Sequence, residues 1–424
     1  MAKIYGMGVL KIATYSLNNR WFTPAMATIM IASASQLYGY ERVVPYFFIT
    51  SLAIFFSVVI FKTLQTILFY KDALEELFNP EKTLYFFTIV VAVNLVGMCF
   101  SRIFHLYTTA NIFWYVAIAL WLGISLFTFS ILFLNQKSED RKFEDVFHGG
   151  WFFATAGTQS TALLGVIVAE HATRYVTFIH VFSFALWSIG ASLYIVFMAL
   201  IILRLVFYRI DSNTVLSPYW MNVGAAAITA ITGIVLHQHI QGTGGPFGDF
   251  LPFLKGISLL FWSFGLWWMP FLIILAIRKL AYSEEGLAFT VGYWEVAFAL
   301  GLYANSTIQL VNVFEGRYLI ILSVCFYIAC IIVWCFSSVF TIVHLIQSSL
   351  WVPINNLTIS YMVPYSFKLH GRLFQVKEVV NEWLDQTIQG VLKKRYCVIT
   401  NNNLTCFISY DMLAKKWYLD QVKD

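Results

Sequence analysis

The sequence predicts an all-α polytopic membrane protein: ten transmembrane helices arranged as five helical hairpins around a central pore, followed by a small cytoplasmic α+β tail. Three observations carry this. Of 424 residues, 59% are hydrophobic and only 12% charged, about half the charged share of a soluble domain. Ten apolar stretches reach or approach the roughly 20 residues that span a bilayer. These stretches also alternate between two kinds. One kind is bulky and greasy; the other carries small and hydroxylic residues, as in GYWEVAFALGLYANSTIQLV from Gly292.

The ten stretches cover 21–38, 44–62, 84–100, 111–134, 151–169, 175–203, 219–237, 256–277, 291–311 and 317–345. Four odd members follow a common grammar, a Trp at the entrance and then small residues: Trp21, Trp151, Trp220 and Trp294. The third opens on Leu84-Tyr85 instead and keeps the small centre. Even members such as FFITSLAIFFSVVIF from Phe47 can face lipid at no cost. Small-residue helices are wasted unless they pack on each other or border a cavity, so the odd helices are expected inside. Their pore-lining candidates are Pro24, Thr28, Asn94, Gly157, Thr158, Thr161, Asn222, Gly224, Thr229, Gly301 and Asn305.

Loop charges orient the chain. The N-terminus and the connections after even stretches hold Lys3, Lys11, Arg20, Lys62, Lys71, Lys82, Lys137, Arg141, Lys142, Arg204, Arg209, Arg278 and Lys279. Those after odd stretches hold Arg42, Arg102, Arg174, Lys255 and Arg317. The positive-inside rule then places both termini in the cytoplasm of a cell-membrane protein. The basic residues form no dense patch, so the formal charge of +5 implies no nucleic-acid partner.

Residues 1–347 are read as the membrane domain and 348–424 as a cytoplasmic accessory tail. In the tail, RYCVIT and LTCFISYD flank an Asn-rich turn and read as two strands. Val376, Val379, Val380, Trp383, Leu384 and Ile388 have helical spacing. Cys397 and Cys406 could face each other across the hairpin as reduced thiols.

Catalytic chemistry finds little footing. No Walker loop, metalloprotease pair or nucleophile triad is in register with the spans, so the expectation is a non-enzyme without cofactor or metal. The histidines sit in loops or near helix ends, unlike a bis-histidine haem site. His237-Gln-His239 is read as a hydrated loop pair, with metal binding as the alternative, and GTGGPFG from Gly242 as a connector. No acid lies at mid-depth. Glu295 comes closest; it is read as a carboxylate stabilised by its helix N-terminus, with a coupling acid as the alternative. Uncharged hydroxyls and amides at mid-depth suit anions that must bind weakly enough to leave, or serve only as bonds between helices.

Five segments together carry a family resemblance: FFTIVVAVNLVG from Phe86, GGWFFATAGTQSTALLG from Gly149, LSPYWMNVGAAAITAITG from Leu216, ISLLFWSFGLWWMPFLI from Ile257 and VAFALGLYA from Val296. In that order the chain resembles the tellurite-resistance and dicarboxylate-transporter family, which includes the bacterial TehA anion channel and the slow anion channels of plant guard cells. The resemblance implies odd helices around a pore, a homotrimer with one pore per subunit, small-anion substrates, and Phe298 as the residue that plugs the pore. It leaves open a proton-coupled exporter of C4-dicarboxylates, sulfite or tellurite-type oxyanions. This chain has Ala299 where the family pattern Phe-Pro-Leu-Gly has proline, so any bend there must come from Gly301 or its neighbours.

Overall fold

The computed structural model describes residues 17–80, 82–134, 146–208, 217–243, 248–282, 290–358, 366–369, 372–386, 392–400, 404–411 and 416–423. Lys3, Lys11, Lys137, Arg141, Lys142 and Arg209 of the charge pattern, and most of the glycine-rich connector after Thr243, lie outside these residues. The chain divides into a helical unit, Leu17–Val343, and a second unit holding His344–Asp424.

The helical unit contains α1 (Thr23–Leu37), α2 (Val44–Leu68), α3 (Phe87–Arg102), α4 (Tyr107–Leu134), α5 (Phe152–Ala169), α6 (Val176–Phe207), α7 (Trp220–Thr243), α8 (Leu251–Tyr282), α9 (Tyr293–Phe314) and the start of α10 (Tyr318–Thr358). Among the described residues, α2 through α10 are long and apolar enough to cross a membrane. The shorter α1, extended by a 3-10 turn over Asn19–Phe22, completes the set of ten. A nine-residue amphipathic helix, Tyr70–Phe78, follows α2.

The two kinds of helix occupy two layers. Between 67 and 100% of the most apolar part of α3, α5, α7 and α9 is buried, against 17 to 39% for the even helices. The odd helices pack in a closed ring, α1 on α3, α3 on α5, α5 on α7, α7 on α9 and α9 on α1. Each of α2, α4, α6 and α8 lies in the outer groove between two ring members, and α10 bonds to both α9 and α1.

Tryptophan joins the layers. Trp114 and Trp121 of α4 donate their indole N–H groups to the Thr161 carbonyl and Thr158 Oγ1 of α5. Trp187 of α6 donates to the Thr229 carbonyl of α7, Trp262 of α8 to Thr307 Oγ1 of α9, and Trp334 of α10 to Thr28 Oγ1 of α1. Each bond runs from an outer helix to the next inner one, and the last closes the ring. An indole N–H in hydrocarbon has no water to turn to, so a fixed acceptor decides which inner helix each outer one rests on.

Small residues let the helices approach closely. Gly97, Gly165, Gly233 and Gly301, equally spaced along the chain, occupy successive odd helices at points where a Cβ would collide with a neighbouring helix. Without a hydrophobic force between helices in lipid, this close approach is the main source of attraction.

The tail differs from its sequence pattern. Strands β1 (Ser366–Leu369), β2 (Arg372–Gln386), β3 (Leu392–Thr400), β4 (Thr405–Asp411) and β5 (Lys416–Lys423) form an antiparallel meander in chain order. The two strands expected around Asn401–Asn403 are β3 and β4. Ile388 lies outside the described residues, and as far as Gln386 the segment with helical spacing is instead β2. Register shifts after Val376 and after Val379 break its alternation, so Val376 and Val379 both reach the small core of Tyr396, Val398, Cys406 and Ile408. A bulge turns a period of two into a local spacing of three, which imitates a helix. The helical part of this unit is the end of α10, from His344 on. Cys397 pairs with Phe407 and Cys406 with Val398, which puts the two thiols on opposite faces rather than facing each other.

Candidate functional site

The axis of the inner ring has two distinct ends. All five odd helices start at one end, each after a tight lead-in: 3-10 turns at Asn19–Phe22, Thr83–Phe86, Gly149–Trp151 and Ser217–Tyr219, and Gly292 before α9. These lead-ins touch one another in ring order. Two glycines permit it: a Cβ on Gly149 would overlap the backbone of Pro218 and Tyr219, and one on Gly292 would overlap the Ser217 side chain. Asn18 and His148 cap the first and third of these turns, accepting from Arg20 N and Gly150 N.

Arg20 fills this mouth. Its Nε donates to Glu295 Oε1 of α9 at 2.6 Å and its Nη2 to Ser217 Oγ before α7 at 3.0 Å. The guanidinium carbon lies 5.3 Å from the centre of the Tyr85 ring, at the entrance to α3, and Tyr85 stacks on His148 before α5. Arg20 belongs to α1, whose ring neighbours are α3 and α9 only, so its bond toward α7 spans the ring. Five parallel helix N-termini make this mouth electropositive, the Arg20 guanidinium being balanced by the Glu295 carboxylate.

Glu295, Phe298, Leu302, Asn305 and Gln309 share one face of α9 at spacings of three and four. Phe298 is fully buried, one turn inside Glu295. Beyond it opens a cavity of about 260 Å³ whose walls come from the second halves of all five odd helices. Leu302 forms part of its wall with Met30, Leu95, Leu163 and Ile231; Ser33, Gln36, Asn305 and Gln309 supply its polar groups. Arg102 also borders it and pairs with Glu170 at 2.6 Å.

Of the pore-lining candidates, only Asn305 borders this cavity; Ser33, a mid-depth hydroxyl of α1, borders it too. Asn305 also ties α9 to α1, donating to the Met30 carbonyl and accepting from Ser33 Oγ. The others lie between helices. Thr28 and Thr158 accept from the outer tryptophans. Asn94 of α3 donates to Ser160 and Thr161 of α5. Asn222 accepts from Tyr194 of α6, and Thr229 returns its hydroxyl proton to the Ala225 carbonyl. Gly157 receives Phe87 of α3, Gly224 faces Ala299 of α9, and Gly301 faces Met30 of α1. Pro24 starts α1, where its missing N–H costs nothing. α9 itself runs unbroken from Tyr293 to Phe314, so the absent proline leaves a continuous helix.

Sequence reasoning passed over the cavity's bulky walls because it assigned large side chains to lipid. Their signal was present in the spacing Leu302, Asn305, Gln309, a mixed face that only a wall shared by water and protein would need. His237 and His239 lie on the last turns of α7 rather than in a loop. Two residues apart on a helix, they point about 200° away from each other, which rules out joint chelation. His239 instead faces His180 of α6, with ring centres 4.7 Å apart.

A ring of five parallel helices, braced from outside, with a cavity bordered by their second halves and an electropositive mouth at their starts, defines a multi-pass membrane protein of the channel and transporter class. The voltage-dependent anion channel family matches residues 16–342, and the chain belongs to that family. Two uncharacterized transporters of Methanocaldococcus jannaschii are similar to it. One is 26% identical over 306 residues, 70% of this chain and 84% of the relative; the other is 25% identical over 310 residues, 70% and 86%. An uncharacterized membrane protein of Mycobacterium tuberculosis is 30% identical over 119 residues, 28% of this chain and 59% of its own length.

Proposed function

We propose that the chain conducts small anions passively along the axis of its inner ring, with Phe298 as the closed gate. The observation that carries this reading is the single face of α9 on which Glu295 meets Arg20 at the mouth, Phe298 follows, and Leu302, Asn305 and Gln309 border the cavity. An aromatic constriction between a mouth of converging helix N-termini and a cavity with uncharged donors would stop ions by excluding their water. Asn305 is the conducting-path residue of the polar set, and the remainder frame the ring through the bonds described above. The loop charges support cytoplasmic termini in the cell membrane, and the family resemblance supports a homotrimer.

Purified protein in liposomes tests this reading. Under a chloride or nitrate gradient, the reversal potential should track the anion gradient and ignore a superimposed pH gradient. A reversal potential that moves with pH would replace the channel by a proton-coupled carrier, and comparison of chloride, nitrate, sulfite and malate would rank the substrates.

Conduction should not need the tail. The cavity is walled by the odd helices, and the tail strands pack on a small core of their own. Truncation after Gln347 is expected to leave flux per inserted protein within about twofold of the full chain, consistent with the small effects of changes remote from a site. Loss of flux from a truncated protein that still inserts and assembles would overturn this.

A further inference from the structure

We propose that the mouth at the start of the odd helices is a binding site for a small monovalent inorganic anion, and that the Glu295 carboxylate is its tethered resident, which an entering anion must displace from Arg20. The proposal deepens the conduction reading and rests on it for the direction of travel.

Three features of the mouth support it. Glu295 is fully buried, and its Oε1 binds Arg20 while its Oε2 has no hydrogen-bond partner among the described residues. A structural ion pair at such depth normally satisfies both oxygens, because the unpaired one forfeits its hydration for nothing. Arg20 also keeps one donor nitrogen that no described residue engages, on a side chain that is 13% exposed. Nε serves Glu295 and Nη2 serves Ser217, while Nη1 has no acceptor among the described residues. A guanidinium offers five donors in a fork suited to two acceptors at once. The surroundings complete the case. Five helix N-termini converge here, a setting that favours net negative charge, yet Arg20 and Glu295 together contribute none. The mouth thus has donors and a field that suit an anion, and the carboxylate occupies the donor that an entering anion would use first.

Displacement requires no covalent step. The anion takes the Nε and Nη donors of Arg20, and the Glu295 side chain rotates away along its own two methylenes. The entering ion then stands one helical turn from Phe298, about 5 Å along α9. Ser217 Oγ keeps Arg20 in place during the exchange.

The experiment uses the full-length protein in detergent, titrated with sodium chloride or sodium nitrate against sodium gluconate at constant ionic strength. Anion binding is read as the saturable rise of the thermal unfolding midpoint. Glu295→Gln should lower the half-saturating anion concentration at least tenfold. Glu295→Asp, one methylene shorter, should lower it by less. Arg20→Gln should abolish saturation, and Arg20→Lys should keep a weaker site. Equal half-saturation in the parent and both Glu295 variants, or undiminished binding in Arg20→Gln, would overturn the proposal. Binding is measured without flux, so the two readings fail separately. Tightened binding by a protein that carries no current keeps this site and removes the conduction reading; anion current with unchanged affinity in the Glu295 variants does the reverse.

Discussion

Replacing Phe298 with alanine should raise basal anion conductance several-fold at unchanged surface abundance. Phe298 is fully buried on the cavity-facing stripe of α9, between Glu295 and Leu302. In the proposed mechanism its ring is the barrier itself, and removing it shortens the dry stretch that an ion must cross. A packing role makes the opposite forecast. Truncating a phenylalanine that only fills a core costs about 3 to 5 kcal/mol of stability and opens no path. Current measured per channel at the cell surface, beside the thermal midpoint in detergent, separates the two. A variant that reaches the surface in normal amounts and conducts no better than the parent would make Phe298 a packing residue and remove the gate.

Gly301→Ala should be a strongly damaging single-methyl change in the ring, and Gly224→Ala close to harmless. A Cβ on Gly301 would stand 2.5 Å from the Met30 Cβ. Both atoms are fixed directly to helix backbones, so α9 and α1 must move apart as bodies. Overpacking of that kind costs about 1 to 3 kcal/mol. At Gly224 the nearest atom would be Leu302 Cδ1 at 3.5 Å, an ordinary contact, and the gain in helix propensity of up to about 1 kcal/mol favours alanine. Unfolding midpoints of the two variants, measured in one detergent, check the ranking. Indistinguishable midpoints would mean that α1 and α9 have room to spare. Gly301→Ala should also reduce flux, because Asn305, one turn on, bonds to the Met30 carbonyl that must shift.

How far the candidate site could be read in advance depended on what each residue needed from its surroundings. The inner and outer division of the helices was legible because lipid imposes a uniform solvent: bulky faces satisfy it and small ones do not. Phe298 and Glu295 stood out through the family likeness and through their position near the start of a small-residue helix. Thr28, Thr158 and Asn94 were harder. A hydroxyl or amide in a spanning helix looks the same in sequence whether it serves an ion or a neighbouring helix, and here Trp334, Trp121 and Thr161 are its partners. Arg20 shows the same problem from the other side. As one more basic residue of a loop it only helped to orient the chain, and its reach to Glu295 crosses 275 positions of sequence.

The tail failed for a different reason. Its hydrophobic spacing in Val376, Val379 and Val380 is a real property of the sequence, but two register shifts decided which face each side chain occupied. A bulge is chosen by the partner strand, which sequence periodicity does not include.

By itself the sequence determined that this chain crosses a membrane many times, that its helices fall into a lipid-facing and an inward set, and that those sets alternate. Hydropathy and side-chain size settle these matters one helix at a time, because each span meets the bilayer separately. Only the tertiary structure decided that the five inward helices close in order, that their N-termini converge on Arg20 and Glu295, and that large side chains, with a few amides, wall the cavity. Those outcomes depend on where five helices leave space between them. Glycine brings backbones together at the contacts, so the space remaining near the axis must be bordered by the residues that are not small.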